Sequence, residues 1–170
     1  MRRRGVVLVG HGGVPRDCPR PLVTRLKALE AQRRASGRAA LAEERELDDR
    51  IRNWPRTPEN DPYRFGLERL AEELRSRLGK DLLVLAYNEF CAPTIEQAVA
   101  TLLLQEITEI TVVPSMMTPG GVHSEIDIPE SLAPLHARWP QLVLHYAWPV
   151  HLDLVADMLV RHLERHAAGD

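Results

Sequence analysis

Three side chains of the types that bind metal ions each follow a different apolar run of this sequence. The pairings are GVVLVG with His11, DLLVLAY with Glu89, and EITVVP with His123. Two imidazoles and one carboxylate can bind a first-row divalent metal ion and leave coordination positions open. A single histidine after a strand is more often a hydrogen-bonded structural residue, so the hypothesis requires that all three side chains meet.

The elements between these residues predict how they meet. Strands are predicted at 5–10, 81–87, 109–114 and 142–147, and helices at 21–54 with a break near Gly37, 62–78, 94–106, 125–138 and 151–166. Alternating buried strands and helices are typical of an α/β fold with a parallel sheet. Ligands of such sheets bind beyond the carboxyl ends of the strands, so we expect His11, Glu89 and His123 at one edge.

Length and composition indicate one globular domain covering 1–170. The chain has 170 residues, a net charge of −2 and two cysteines, which excludes a disulfide framework and a four-cysteine zinc site. No apolar run reaches membrane-spanning length, and the opening apolar stretch at 6–9 is too short for a signal peptide. We expect a cytoplasmic protein that binds neither membranes nor, given its bulk charge, nucleic acids.

Charge and glycine are unevenly distributed. Residues 1–60 hold 14 basic and 8 acidic side chains, which predicts either a surface for an anionic partner or a solvated helix of mixed charge. Glycines flank His11 in the run GHGG, so the backbone there can approach a ligand closely. The run lacks the glycine spacing of a dinucleotide loop and the lysine of a phosphate-binding loop.

The ordered motifs resemble a known family. They are VGHG at 9–12, Glu89 followed by APTI at 92–95, VVP at 112–114 leading to GVH at 121–123, and DIP at 127–129. Together they resemble the class II tetrapyrrole chelatases, specifically the single-domain sirohydrochlorin cobalto-, nickel- and ferrochelatases. The resemblance implies a chelatase-like three-layer domain with a four-stranded parallel sheet. It also implies a homodimer and an enzyme (a lyase) that needs neither ATP nor an organic cofactor.

The resemblance also suggests roles for individual residues. His11, Glu89 and His123 would line the metal-insertion site, where cobalt, nickel or iron is a substrate. Asp127 is expected to orient His123. Sirohydrochlorin carries eight carboxylates, so arginines are expected in its pocket.

Four residues are candidates for contacting that substrate. Arg16 and Arg20 follow His11 closely and would bind its carboxylates, unless they are ordinary surface arginines. Met116 and Met117 would contact the macrocycle or simply pack in their loop.

The sequence differs from the family pattern at three places. Gly13 stands where a serine is usual, and Ile126 stands where an acidic residue often precedes the aspartate. The stretch between His11 and Glu89 is several tens of residues longer than in compact members. We expect the added segment, about 14–62, to form a helical arm that borders the cleft or the dimer interface, or else a peripheral helix pair.

The other candidate residues give weaker evidence for a metal or catalytic site. His162 and His166 are four residues apart on the last predicted helix, where a solvated helix end competes with a metal site. Cys18 and Cys91 are either soft metal ligands or packing cysteines, and His136, His145 and His151 receive no role.

Three functions follow from the sequence. They are divalent metal insertion into sirohydrochlorin or a related tetrapyrrole, a non-catalytic metal or tetrapyrrole carrier of the same fold, and, less favoured, a chelatase-fold enzyme whose long insertion selects another substrate.

Overall fold

The sheet at the centre of the molecule carries the candidate site at its carboxyl edge. The structure, a computed structural model, describes residues 3–169, so the ends of the predicted domain 1–170 lie outside the described residues. Within that range four strands form one sheet: β1 (Gly5–Gly10), β2 (Leu82–Tyr87), β3 (Glu109–Pro114) and β4 (Val143–Tyr146). Their order is β2-β1-β3-β4 and every neighbouring pair is parallel, so the predicted chelatase-like α/β class is confirmed.

Six α-helices lie in the described part of the chain. They are α1 (Arg20–Ser36), α2 (Ala42–Arg52), α3 (Pro62–Arg75), α4 (Ile95–Leu103), α5 (Ile128–Arg138) and α6 (Leu152–Ala168). The predicted break near Gly37 is present, because Gly37 ends α1 with φ of 64°. Helix α4 ends at Leu103 rather than near Glu106, whose φ of 60° is incompatible with a right-handed helix.

Local sequence signals fix the starts of two helices that border the site. Asp61 accepts a hydrogen bond from the backbone N–H of Arg64 and caps α3, with Pro62 in the first turn. Thr94 and Gln97 form the predicted capping box of α4. Helices α3 and α4 begin at the carboxyl edge of the sheet, so both caps lie near the candidate site.

Helices cover both faces of the sheet and produce two separate cores. Helices α4 and α5 pack on one face around Val7, Val99 and Ile110, all fully buried. Helix α3 packs on the other face through Leu67 and Ala71. This is the expected three-layer arrangement around a parallel sheet.

The inserted arm (residues 14–62) has a small core of its own. Leu26 of α1 and Ile51 of α2 are fully buried there, together with Cys18 and Phe90. Phe90 belongs to the loop after β2, so this core joins the inserted arm to the segment that carries Glu89. Among residues 3–169, no helix combines the length and apolar character that a membrane crossing requires.

Candidate metal centre

Three ligand-type atoms from three strand ends meet at the carboxyl edge of the sheet. His11 Nε2 lies 2.9 Å from His123 Nε2 and 3.4 Å from Glu89 Oε1, and His123 Nε2 lies 3.8 Å from the same carboxylate oxygen. Two atoms bound to one ion at 2.0–2.2 Å are at most about 4.4 Å apart. The three spacings therefore suit a single shared ion, and the side chains are partly exposed, which leaves open positions.

The Nδ1 nitrogens of both imidazoles lie beside acceptors, which assigns the tautomer of each neutral ring. His11 Nδ1 lies 2.6 Å from the carbonyl oxygen of Gly12, and His123 Nδ1 lies 2.7 Å from Asp127 Oδ2. A carbonyl or carboxylate oxygen accepts only, so each Nδ1 carries a hydrogen, and in the neutral imidazole each Nε2 presents its lone pair. Two lone pairs facing each other across 2.9 Å repel unless a cation, either a metal ion or a proton, lies between them.

Asp127 and Asn88 support His123 from behind. The side-chain amide nitrogen of Asn88 lies 2.7 Å from His123 Nδ1 and 3.4 Å from Asp127 Oδ2. Rotation of the amide by 180° presents its oxygen to the Nδ1 hydrogen, and the two orientations are interchangeable in heavy-atom positions. A carboxylate behind a histidine fixes its tautomer and raises its basicity as a ligand.

Gly12 allows the Glu89 loop to reach His11. Gly12 has φ of 89°, and a Cβ there would lie 1.8 Å from the carbonyl oxygen of Glu89. The two loops are also tied by backbone bonds, with the N–H of Glu89 donating to His11 O at 3.0 Å and that of Asn88 to Gly10 O at 2.9 Å. Only glycine fits this approach, which gives the GHGG run its physical reason.

A π-helical turn at His123–Asp127 carries the third candidate ligand. The backbone N–H of Ile128 donates to His123 O, five residues back, and α5 follows directly. The predicted helix at 125–138 thus begins two residues earlier than expected, in a wider form. Tyr146 secures this turn by donating its hydroxyl to Ser124 O at 2.8 Å, and burial raises the pKa of Tyr146 to about 12.

An apolar cavity of about 690 Å³ opens on the α3 side of the three ligands. We call it the apolar cavity; it is lined by His11, Gly12, Tyr63, Gly66, Leu67, Leu70, Ser115 and Met116. Its walls suit a flat, largely apolar ring beside the imidazole of His11.

A polar cavity of about 260 Å³ lies on the opposite side, against the inserted arm. We call it the polar cavity; its lining includes Glu30, Arg33, Arg34, Arg52, Asn88, Glu89, Asp127 and Glu130. Arg34 Nη2 lies 3.7 Å from Asp127 Oδ1, so the inserted arm reaches the group that holds His123. Burial, reinforced by nearby carboxylates, raises the pKa of Glu30.

The residues predicted to contact the substrate lie in different regions of the molecule. Met116 lines the apolar cavity, whereas Met117 is half-buried outside the cavity lining. Arg16 and Arg20 are not brought to the three ligands, because they line a separate hollow of about 530 Å³ on the inserted arm. The arginines that lie beside Glu89 are Arg34 and its neighbours on the inserted arm.

Two arginines that the sequence did not single out hold the site loops. Arg56, whose side chain is 2% exposed, pairs with Asp61 and donates to the carbonyls of Gly13, Ile51 and Phe90. Arg52 donates to Asn88 O at 3.2 Å and to Cys91 O at 3.0 Å. Arg52 ends α2 and Arg56 lies in the proline-punctuated loop that follows it, and both resemble ordinary surface arginines in the sequence.

The remaining candidates lie away from the ligands. Cys18 and Cys91 are buried free thiols in two different cores, and burial raises the pKa of each. His162 and His166 are exposed on α6, as expected for a solvated helix end. His136, His145 and His151 are also exposed.

Comparisons with known proteins agree with the geometry. A sequence model named CbiX matches residues 60–165. The sirohydrochlorin ferrochelatase of Priestia megaterium is 29% identical over 93 residues, which are 54% of this chain and about a third (35%) of that relative.

Solved structures share the fold. The cobalamin (vitamin B12) biosynthesis CbiX protein of Marinobacter aquaeolei VT8 has a TM-score of 0.55 at 18% identity, covering 95% of this chain and 98% of that one. SirB from Bacillus subtilis with Fe3+ has a TM-score of 0.50 at 19% identity, covering 85% of this chain and 39% of that one. The family model matches more than half of the sequence, and it confirms the resemblance carried by the motifs: this chain belongs to the CbiX family.

Proposed function

We propose that this protein inserts a divalent metal ion (cobalt, nickel or iron) into sirohydrochlorin or a related tetrapyrrole, without ATP and without an organic cofactor. The observation that carries the proposal is the pair of Nε2 atoms that lie 2.9 Å apart beside the Glu89 carboxylate. Membership of the CbiX family and the match to a sirohydrochlorin ferrochelatase support the choice of substrate.

The reaction exchanges two protons for one dication. A tetrapyrrole loses two pyrrole N–H protons, and the metal ion exchanges its ligands for four ring nitrogens. In our proposal the ion first binds His11 Nε2, His123 Nε2 and one oxygen of Glu89. When it moves into the ring it vacates two imidazole lone pairs, and these can accept the two protons. The number of bases matches the number of protons, so no further group is required.

The two cavities suggest where each substrate approaches. The macrocycle fits the apolar cavity, where its face meets Leu70 and Met116 and its nitrogens approach His11. Its carboxylates extend beyond the ring and require cations. Arg34 is an exposed arginine of the inserted arm beside Asp127 and is well placed for one of them.

The test is the absorbance change when protein, sirohydrochlorin and cobalt(II) are mixed, measured against the spontaneous rate. Saturable acceleration with many turnovers per protein chain supports the proposal. The alternative function, a metal or tetrapyrrole carrier, gives stoichiometric binding with no acceleration. A chain that neither accelerates insertion nor binds cobalt(II) or sirohydrochlorin contradicts both.

A further inference from the structure

A strained turn begins at Glu89, just after β2. The backbone N–H of Cys91 donates to Glu89 O at 2.7 Å, which closes a three-residue γ-turn with Phe90 at its centre. Phe90 has φ of 55°, in the left-handed region that a bulky side chain rarely adopts. A γ-turn with positive φ at its centre is the rare and strained form. Such a turn persists only where other parts of the molecule hold it in place.

The side chain of Phe90 is anchored in the inserted arm. It is 5% exposed and belongs to the small core of the arm with Leu26 and Ile51, which are both fully buried. Lys27 Nζ lies 5.1 Å from the centre of the Phe90 ring, within range of a cation–π contact. The anchored ring fixes the centre of the γ-turn, so the inserted arm opposes relaxation of the strained backbone.

Arg52 of α2 bonds both ends of the same turn. Its guanidinium donates to Asn88 O at 3.2 Å, just before Glu89, and to Cys91 O at 3.0 Å, just after the centre of the turn. The Asp48 carboxylate accepts from Arg52 Nε at 2.8 Å, and the Arg52 side chain is 14% exposed. One planar group with a fixed orientation therefore sets the distance between the two ends of the turn.

The turn determines where the Glu89 carboxylate lies. Its Oε1 atom is 3.4 Å from His11 Nε2 and 3.8 Å from His123 Nε2. The backbone of Glu89 is fixed from the other side as well, because its N–H donates to His11 O at 3.0 Å. A metal site of this kind requires ligands that are held close to their binding geometry before the ion arrives. Strained backbone at a functional site commonly serves this purpose.

We propose that Phe90 and Arg52 are positioning residues through which the inserted arm holds the Glu89 carboxylate ready to share a metal ion with His11 and His123. The inference rests on the proposed function, because it takes these three side chains as the metal ligands. It assigns the inserted arm a part in metal binding that is separate from any contact with the tetrapyrrole.

Removal of Arg52 distinguishes positioning from charge. Arg52 and Glu89 line the same polar cavity, so charge alone predicts that R52M binds a dication more tightly. Positioning predicts the opposite: R52M lowers the cobalt(II) affinity of the full chain about tenfold, measured by isothermal titration without tetrapyrrole. R52K keeps the charge without the planar fork and should lose a similar amount. R50M, at an exposed arginine of the same helix, is the control. Unchanged or tighter binding by R52M overturns the inference.

Combination with E89Q tests whether Arg52 acts through Glu89. E89Q alone should weaken cobalt(II) binding at least as much as R52M, because it removes the anionic ligand itself. In the E89Q background R52M should cause no further loss, since the ligand that it positions is gone. Equal losses from R52M in both backgrounds overturn the inference and leave the metal centre intact. Native affinity in E89Q overturns the metal centre, and the inference with it.

Substitutions of Phe90 separate the turn from the packing of the arm, and they decide the question if the arginine variants do not fold. F90L keeps an apolar anchor and should retain native cobalt(II) affinity. F90G and F90A both remove the anchor, but glycine adopts a φ of 55° without strain, so F90G should bind more tightly than F90A. Circular dichroism at the titration temperature checks that each variant is folded. Native affinity in folded F90A, or equal affinities of F90G and F90A, would show that Phe90 only packs the arm.

Discussion

The two sides of the candidate metal ligands differ in what surrounds them. On the α3 side Leu67, Leu70 and Met116 form an apolar wall, whereas on the side of the inserted arm Arg34, Glu89 and Asp127 line a polar cavity of less than half the volume. The two proposed substrates, a flat macrocycle and a hydrated dication, need these opposite environments. The difference teaches that one triad can receive its two proposed substrates from two directions. A change at Asp127 should then affect metal binding, and a change at Leu70 should affect tetrapyrrole binding.

Removing a shared ligand should produce the largest effect, because it belongs to both sides. H11A and H123A are each expected to lower the insertion rate by about 10²–10⁴-fold, since each removes a metal ligand and a proton acceptor. H136A changes an exposed histidine on α5 and serves as the control. The measurement is the cobalt(II)-dependent change in absorbance. Near-native rates in both alanine variants would show that the two histidines have only a structural role.

Breaking the junction between the inserted arm and the site should mainly affect stability. R56M leaves the buried carboxylate of Asp61 unpaired and removes hydrogen bonds to three carbonyls, for a loss of about 3–5 kcal/mol in the free energy of unfolding. R69M, on the exposed side of α3, should cost far less. Urea unfolding measures both, and equal losses would show that Arg56 does not join these elements.

A change on the polar side should weaken metal binding selectively. D127N removes the carboxylate that orients His123, and we expect cobalt(II) affinity to fall about 10–100-fold. E125Q alters an exposed carboxylate of the same turn and should leave affinity unchanged. Isothermal titration with cobalt(II) decides between them. If D127N instead weakens only the binding of the tetrapyrrole, the two sides are assigned the wrong way round.

A change on the apolar side should weaken tetrapyrrole binding selectively. L70D places a carboxylate in the apolar cavity, where it repels an anionic ring and removes apolar contact. We expect KM for sirohydrochlorin to rise about tenfold, equivalent to about 1.4 kcal/mol, with cobalt(II) affinity unchanged. L104D, at a residue 87% exposed after α4, is the matched control. Equal effects of L70D and L104D would show that the apolar cavity does not bind the tetrapyrrole.

Much of the fold was predictable because it rests on local patterns. Strands β1 and β3 have the predicted bounds, and the caps at Asp61 and Thr94 use bonds within four residues. The meeting of His11, Glu89 and His123 follows from the rule that ligands gather at the carboxyl ends of parallel strands. Such features depend on the periodicity of apolar residues and on the order of strands and helices, both of which can be read from the sequence.

The rest depends on long-range contacts that no local pattern encodes. Arg56 resembles any loop arginine until Gly13 and Phe90, 43 and 34 residues away, supply their carbonyls. The proximity of Arg34 to Asp127 and the exposure of α6 arise in the same way from tertiary packing. The wider turn at His123 was missed because helical periodicity does not distinguish a π-helical turn from the start of an α-helix.

That turn makes the site sensitive to chain length at one point. A π-helical turn holds one residue more than the α-helical turn it replaces, and one residue corresponds to a rotation of about 100° along a helix. Deleting Ile126, which is 49% exposed, would convert the turn to an α-helix with little cost to the core. The imidazole of His123 would then rotate away from His11, so a single codon deletion could silence metal binding in a protein that remains folded.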